Sequence, residues 1–450
     1  MGLFGSSGVR GVVNEELTLG NVLHLASVTA SHWDAERIAI GRDTRVASQA
    51  FANAASSGAA GVGADVERIG VIPTPGFQRY LARVGIPGMM ITASHNPPNY
   101  TGVKLFDANG TELGGDRLSA VEDAVSEDIQ RATSWSEVGR ERRVEGAIED
   151  YLDDILEIGW SDAIQEAEPT VTVDPGHGAG CFTSARCFRR LGCRVFTVND
   201  TPDGLFPGRQ PEPIPSVLDD LCRLTTANEA ILGVAHDGDA DRAVFVDEDG
   251  NVVPGDSILA ILATELVEEG DVVVAAVNAS DRLEVAVERN GGRLERTPIG
   301  SASIVSRVRE LREAGETIAL AGEGNGGIFL PEYGLVRDGL LVAVVVLRLA
   351  VERSLAERAA DHAGYYLVRR EVGFDSQSEK NRMLEALDRL ATSANGPVNR
   401  TDGVRISQDD GWMLARASGT EPVIRVVAES TDPVRAARFA DDVVERIRAV

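Results

Sequence analysis

Apolar residues fall in short runs separated by Ala-rich or amphipathic stretches, and this alternation repeats over the first 362 residues. Short apolar runs bounded by polar loops read as strands, and the longer stretches as helices. In the first round, Arg37-Ile38-Ala39-Ile40 precedes a helix over 47–60, and Gly88-Met89-Met90-Ile91 leads into the loop Thr92-Ala93-Ser94-His95-Asn96-Pro97-Pro98. In the second, Val171-Thr172-Val173 precedes a helix over 179–191, and Ile231-Leu232-Gly233-Val234 leads into Asp237-Gly238-Asp239-Ala240-Asp241-Arg242. In the third, Val272-Val273-Val274-Ala275 precedes a helix over 283–289, and Ile318-Ala319-Leu320 leads into Gly322-Glu323-Gly324-Asn325-Gly326-Gly327. Strands alternating with helices predict α/β domains. Ligands of such sheets bind beyond the carboxyl ends of strands, where all three polar loops fall, so one shared cleft is expected.

From residue 363 the rhythm changes to a strand over 365–372, an amphipathic helix over 380–391, three short β runs and a closing helix from Pro433. The pattern predicts three similar α/β domains over 1–146, 147–252 and 253–362, followed by an α+β domain over 363–450. A length of 450 residues agrees, because a single core stops growing at about 250–300 residues.

Composition narrows the classes. Hydrophobic residues make up 43% of the chain and charged ones 25%, and no apolar run reaches the ~18 residues of a membrane span. Met1-Gly2-Leu3-Phe4-Gly5 has no basic region ahead of an apolar core, so the chain is expected to stay in the cytoplasm. Cys181, Cys187, Cys193 and Cys222 lack the paired spacing of a zinc site and read as small packed residues. A formal charge of −26 repels a phosphate backbone, and no basic stretch carries interleaved aromatics, which argues against a nucleic-acid partner. Of the 44 lysines and arginines only Lys104 and Lys380 are lysine, a bias shared by salt-adapted acidic surfaces and by genomes rich in G and C. Arginine therefore fills almost every position where a simple positive charge suffices, and a lysine is informative.

Candidate chemistry lies in the loops. Asp237, Asp239 and Asp241 alternate with small residues, so a tight loop can turn three carboxylates onto one hard cation; the other reading is a solvated acidic turn. Oxygen ligands beside a phosphate favour Mg²⁺ over Ca²⁺ or zinc. Ser94, in a loop stiffened by Pro97 and Pro98, is either an exposed nucleophile or a turn residue bonded to its own backbone. His95 is adjacent, and in an extended segment consecutive side chains point apart, so a Ser94–His95 dyad is not expected. Lys104 begins a β run after Gly102, where the chain is expected to bend, and reads as a general acid/base with a pKa depressed by burial and neighbours. Arg416-Ala417-Ser418-Gly419-Thr420-Glu421-Pro422 offers a guanidinium fork, two hydroxyls and backbone N–H groups that match a phosphate, with Arg425 as a second fork. Phe4-Gly5-Ser6-Ser7-Gly8-Val9-Arg10-Gly11 is a further small-residue loop ending in a charge, placed to close over the nucleophile. Gly176-His177-Gly178-Ala179-Gly180 lacks full dinucleotide spacing and reads as a packing turn, so no nicotinamide or flavin is implied.

In order and across nearly the whole chain, the segments Gly5-Ser6-Ser7-Gly8, Thr92-Ala93-Ser94-His95-Asn96-Pro97, the Asp loop, Gly322-Glu323 and Arg416 to Pro422 resemble the α-D-phosphohexomutase family. The resemblance implies a heart-shaped fold around a central cleft, with three related α/β domains of mixed sheets and a smaller α+β fourth. It implies interconversion of hexose 1-phosphate and hexose 6-phosphate through a phosphorylated Ser94 and a hexose 1,6-bisphosphate, with one Mg²⁺ on Ser94, Asp237, Asp239 and Asp241. Lys104, His95 and Arg10 then serve phosphoryl transfer, and Arg242 helps at the metal loop. Glu323 and Asn325 hold sugar hydroxyls, and Arg416, Ser418, Gly419, Thr420 and Arg425 grip the non-reacting phosphate.

The expected partners are small sugar phosphates, with the chain a monomer or small homo-oligomer. The loop Glu323-Gly324-Asn325-Gly326-Gly327 is similar to archaeal-type phosphomannomutase/phosphoglucomutase members, which ranks those substrates ahead of glucosamine phosphate and ahead of a Mg²⁺-dependent sugar phosphatase. A sugar-phosphate sensor would need the arginine loop but not Lys104 or the aspartates. Departures from the usual pattern are Thr101, His177 and, in Thr297-Pro298-Ile299-Gly300-Ser301, Pro298 and Ser301, where many relatives have lysine and a polar or charged residue.

Overall fold

A computed structural model describes residues 8–158, 161–418 and 422–449. By compactness the chain divides into two units, one of residues 1–255 and 325–358, the other of residues 256–324 and 359–450.

The first unit holds two mixed sheets. One runs in the order Val9–Val12, Tyr100–Phe106, Gly88–Ile91, Arg37–Arg42, Asp65–Val71, Glu141–Arg143, antiparallel at its first two pairings and parallel at the rest. Side chains alternate across it. Ile38, Ile40, Met89, Ile91, Val103 and Leu105 meet Leu25, Ala26, Ala55 and Ala59 of helices Leu19–His32 and Ser48–Gly61. On the other face Met90 and Phe106 meet Phe77 and Leu81 of helix Thr74–Val84. Lys104 shares that second face, since it lies between Val103 and Leu105 and pairs with Met90 in the register.

The second sheet orders Val252–Val253, Ala243–Val246, Leu232–His236, Thr170–Asp174 and Arg194–Thr197, again antiparallel and then parallel. Against it packs Gly339–Glu352, a helix apolar on every side and accordingly buried along nearly its whole length. The helix expected over 179–191 is instead a 3-10 turn, Ala179–Phe182, followed by helix Ser184–Arg190. Its first amide, Ala179 N–H, is diverted to the carbonyl of Gly238 in the Asp loop at 3.0 Å, and Thr183 leaves the helical region.

In the second unit, Arg293–Thr297, Val272–Ala276 and Ile318–Gly322 pair in parallel. An antiparallel sheet follows in the order Tyr366–Gly373, Val423–Ser430, Gly411–Ala417, Val404–Gln408, Val398–Asn399. The last of these is an edge strand beyond the three β runs expected. One face of this sheet, with Met413, Ala415, Ile424 and Val426, is covered by helices Gln377–Thr392 and Pro433–Arg448. The other face, with Trp412, Leu414 and Val427, packs on Val277 and Ile299. Among the described residues no helix is long and apolar enough to cross a membrane.

Candidate active site

Two strand ends meet in the first unit. Gly88–Ile91 delivers Ser94 and Leu232–His236 delivers the Asp loop, both at carboxyl ends. Ser94 takes a left-handed backbone, φ 52°, which costs a non-glycine residue about 1 kcal/mol or more and points to an imposed conformation. The segment is thus not extended, contrary to expectation, and His95 Nδ1 lies only 3.5 Å from Ser94 Oγ. The hydroxyl nevertheless goes elsewhere: Ser94 Oγ donates to Asp237 Oδ2 at 2.7 Å across 143 residues of sequence.

The loop conformation is held by residues that the sequence reading did not single out. Arg45, fully buried, donates from Nη2 to the carbonyls of Ser94 (2.8 Å) and Asn96 (2.6 Å) and from Nη1 to those of Pro97 (2.6 Å) and Tyr100 (3.1 Å). Its Nε meets Asp43 Oδ2 at 3.1 Å, and the same oxygen accepts from Thr92 Oγ1 at 2.8 Å. The available signal was position, because Asp43 and Arg45 follow within five residues of the apolar run 38–40, just past the carboxyl end of strand Arg37–Arg42.

Asp237, Asp239 and Asp241 are all buried, with one ligand atom from each lying within 4.8 Å of the others. Three carboxylates stripped of water demand cations. Lys104 Nζ bonds Oδ2 of Asp239 and of Asp241, each at 2.8 Å, and Arg337 Nη2 bonds Asp241 Oδ2 at 2.5 Å. Thr74 Oγ1 donates to Asp239 Oδ2 at 2.6 Å. Arg337 and Thr74 are further contributors absent from the sequence reading.

Burial alone lowers the Lys104 pKa, but Asp239, Asp241 and Glu112 outweigh it and raise it above the ordinary lysine value. The expected depression is therefore corrected, since the neighbours are carboxylates and they hold the ammonium charged. Burial, then Asp241 and Asp239, push Asp237 up to about 8. Burial also works against the Asp241 charge, but Arg337, Lys104 and Arg242 prevail and hold that carboxyl far below its usual range. His95 is pushed down to about 2 by burial first and then by Arg242 and Arg10, so the imidazole is neutral.

Oδ1 of Asp239 and Oδ1 of Asp241 are buried without a hydrogen-bond partner. Orphaned carboxylate oxygens converging in an all-oxygen donor set fit a hard divalent cation.

Arg10 lies opposite Gly102 in the sheet and donates from Nη1 to Asn96 Oδ1 at 2.9 Å, so it reaches the serine loop. Gly102 sits inside strand Tyr100–Phe106 and marks close approach rather than a bend: a Cβ there would lie 2.4 Å from the Val9 carbonyl oxygen. Arg242 approaches Asp241 at 3.9 Å. Asn325 stands in the same unit, its Oδ1 accepting from Gly327 N–H at 3.0 Å, while Ala243 N–H donates to the Gly326 carbonyl at 3.2 Å. His177 is held by Thr201 and Gly208, as a packing turn requires.

In the second unit, Glu323 is buried and its Oε1 accepts from Gly300 N–H at 3.1 Å. Arg416 and Arg425 face one another across strands Gly411–Ala417 and Val423–Ser430. Like charges so placed repel unless neutralised. Asp402 meets Arg416 at 3.1 Å and Glu371 meets Arg425 at 3.3 Å. Ser418 is buried, and its N–H donates to the Val423 carbonyl at 2.9 Å. Gly419 and Thr420, like the start of the loop Phe4 to Ser7, lie outside the described residues.

The mixed α/β sheets and the serine–aspartate site define a phosphotransferase class, and comparison with known proteins agrees. The chain belongs to the phosphoglucomutase/phosphomannomutase family: its α/β/α domain I matches residues 1–132, domain II 149–250, domain III 254–366 and the C-terminal domain 373–446. It is a phosphomutase, an isomerase-class phosphotransferase. A phosphoglucomutase/phosphomannomutase of Thermococcus kodakarensis is 36% identical over 452 residues, covering 98% of this chain and 97% of the relative. A protein of Methanopyrus kandleri named as a probable phosphoglucosamine mutase is 36% identical over 450 residues, covering 99% and 97%. The crystal structure of a family member from Burkholderia thailandensis superposes with a TM-score of 0.86 at 25% identity, covering 99% of this chain and 97% of that one.

Proposed function

We propose that the chain interconverts hexose 1-phosphate and hexose 6-phosphate through a phosphorylated Ser94 and a hexose 1,6-bisphosphate, with mannose and glucose phosphates preferred. The observation that carries this reading is the 2.7 Å bond from Ser94 Oγ to Asp237 Oδ2, which brings a buried hydroxyl to three buried carboxylates. One Mg²⁺ per chain, held by Asp237, Asp239, Asp241 and the oxygen on Ser94, supplies electrostatic stabilisation of the transferring charge.

The phosphoryl group on Ser94 passes to the free sugar hydroxyl: the P–O bond to serine breaks, a P–O bond to the sugar forms, and the hydroxyl proton makes good the one that Lys104 gives to the departing Ser94 oxygen, so no net proton is gained or lost. Lys104, held protonated by its carboxylates, gives a proton to the departing Ser94 oxygen and places positive charge beside the phosphoryl oxygens. Arg10 and neutral His95 add donors at the same loop. Arg242, Glu323 and Asn325 contact the sugar, while Arg416, Ser418, Gly419, Thr420 and Arg425 grip the phosphate that is not reacting. After the bisphosphate turns over, its second phosphate returns to Ser94. Water has to be excluded while the phosphoenzyme stands, or the enzyme becomes a phosphatase.

A second reading, phosphoglucosamine mutase, is favoured by the Methanopyrus kandleri relative. The test incubates purified protein with mannose 1-phosphate, glucose 1-phosphate and glucosamine 1-phosphate, plus Mg²⁺ and a trace of the matching bisphosphate. The expected result is 6-phosphate from at least one substrate, fastest from mannose or glucose, and at least ~10³-fold slower in Ser94→Ala. Unchanged turnover in that variant removes the phosphoserine route, and free phosphate as the main product makes the protein a phosphatase.

A further inference from the structure

One carboxylate in the second unit joins two loops to which the proposed function gives different tasks. Alternation along Gly411–Ala417 puts Met413 and Ala415 under the two helices and turns Trp412, Leu414 and Arg416 to the face that packs on Val277 and Ile299. Arg416 therefore lies on the side of the sheet that faces the preceding domain. Asp402, in the turn before Val404–Gln408, meets it there: Arg416 Nε donates to Asp402 Oδ1 at 3.1 Å. The other oxygen, Asp402 Oδ2, accepts the Ile299 N–H at 3.0 Å.

Ile299 belongs to the loop Thr297-Pro298-Ile299-Gly300-Ser301. In this chain the loop presents two consecutive backbone donors to two acids. Ile299 N–H goes to Asp402, and Gly300 N–H goes to Glu323 Oε1 at 3.1 Å. The backbone at Gly300 takes φ 125°, a conformation that suits glycine alone. A continuous path thus runs from Arg416 through the Asp402 carboxyl, one peptide of the loop and the Gly300 N–H to Glu323.

We propose that Asp402 is a positioning residue that fixes the distance and orientation between the phosphate grip at Arg416 and the sugar-facing carboxyl of Glu323. The proposal rests on the functions assigned above to those two residues. Through Oδ1 it sets the plane of the Arg416 guanidinium, which a bidentate phosphate contact needs. Through Oδ2 it anchors the loop that orients Glu323. Neither bond touches the serine loop, so the device acts on binding of the sugar phosphate rather than on transfer at Ser94.

The experiment compares full-length wild type, Asp402→Asn, Arg416→Ala and the double variant by calorimetric titration with glucose 6-phosphate, alongside kcat and KM where turnover is found. Asparagine keeps an acceptor for Ile299 N–H but turns its other end into a donor facing Arg416. Asp402→Asn is expected to weaken binding about tenfold and raise KM similarly, with kcat within about threefold, as loss of uniform binding predicts. The double variant is expected to bind no more weakly than Arg416→Ala alone, because asparagine keeps the Ile299 bond and the part of Asp402 that it removes acts through Arg416. Unchanged binding in Asp402→Asn overturns the proposal, and so do losses that multiply in the double variant. Absence of mutase turnover in wild type would fail the proposed function instead, and the titrations would still decide the role of Asp402.

Discussion

Arg45 donates through Nη2 to the main-chain carbonyl of Ser94 at 2.8 Å, from a guanidinium that is itself buried and paired with Asp43. The bond connects strand Arg37–Arg42 to the nucleophile loop and helps maintain a serine backbone that its own sterics disfavour. Replacing Arg45 by methionine leaves the buried Asp43 carboxyl without its cation, and the expected loss is about 3–5 kcal/mol in urea denaturation. Arg45→Lys keeps the charge but not the planar fork that reaches four carbonyls. That variant should retain most of the stability and lose at least about tenfold in kcat. Wild-type kcat in Arg45→Lys would show that the loop needs only the charge.

Among the described residues Lys104 and Arg337 are the cations hydrogen-bonded to the Asp cluster, so removing one exposes the cluster's own repulsion. Lys104→Met should lose about 3 kcal/mol of stability in EDTA, since a broken buried pair leaves an uncompensated charge. Mg²⁺ restores positive charge at the same carboxylates and binds only the folded cluster, so the deficit should shrink as Mg²⁺ is added. Melting curves of both proteins across a Mg²⁺ series decide the point; a deficit independent of Mg²⁺ would mean that the cation does not reach these carboxylates. Lys104→Arg keeps the charge but puts a larger, more basic group into a fully enclosed slot, and most activity should disappear.

The candidate site was legible in the sequence where its residues stand in local runs. Ser94 and the alternating aspartates sit in short polar loops at strand ends and Arg416 in the last residues of strand Gly411–Ala417, and periodicity alone located the strands that deliver them. What escaped was long-range partnership. Arg337 bonds Asp241 across 96 residues and Thr74 bonds Asp239 across 165, separations at which pattern carries no information. The Lys104 error has the same origin: a lysine's pKa is set by whatever charge the fold brings to it, and the sequence does not reveal that two carboxylates lie at 2.8 Å. The misread helix at 179–191 likewise reflects a tertiary bond, the Gly238 carbonyl taking the Ala179 N–H.

Away from the site, Glu67 offers a test of pH-linked stability. It is buried on strand Asp65–Val71, accepting from Tyr80 OH and bonded to Arg37 and Arg142. Burial raises its pKa, but the Tyr80, Arg142 and Arg37 hydrogen bonds outweigh it and set it below the ordinary value of 4.5. A depressed carboxylate contributes stability that is complete above its unfolded pKa and is lost as pH falls through the folded value. The difference in unfolding free energy between wild type and Glu67→Gln should therefore be constant above about pH 5 and narrow below pH 4.5. A difference that stays flat down to pH 3, in denaturation at matched ionic strength, would disprove the depression.

Gly102 links the strand carrying Arg10 to the residues entering the serine loop. Its carbonyl accepts Thr92 N–H at 3.0 Å and it pairs with Arg10 in the sheet. A Cβ at this position would lie 2.4 Å from the Val9 oxygen and 2.8 Å from the Thr92 oxygen, both main-chain atoms that no rotamer change can move. Gly102→Ala must therefore displace a strand, at a cost of about 1–3 kcal/mol or more. Because Val9–Val12 positions Arg10 and Thr92 precedes Ser94 by two residues, the displacement should also lower kcat, about tenfold or more, beyond any fall in folded fraction. Gly61→Ala is the control: nothing lies within 4 Å of its Cβ, and alanine there should be neutral or slightly stabilising. If Gly102→Ala melts with the control and keeps its kcat, strand Val9–Val12 shifts without cost and Arg10 does not depend on its register for function.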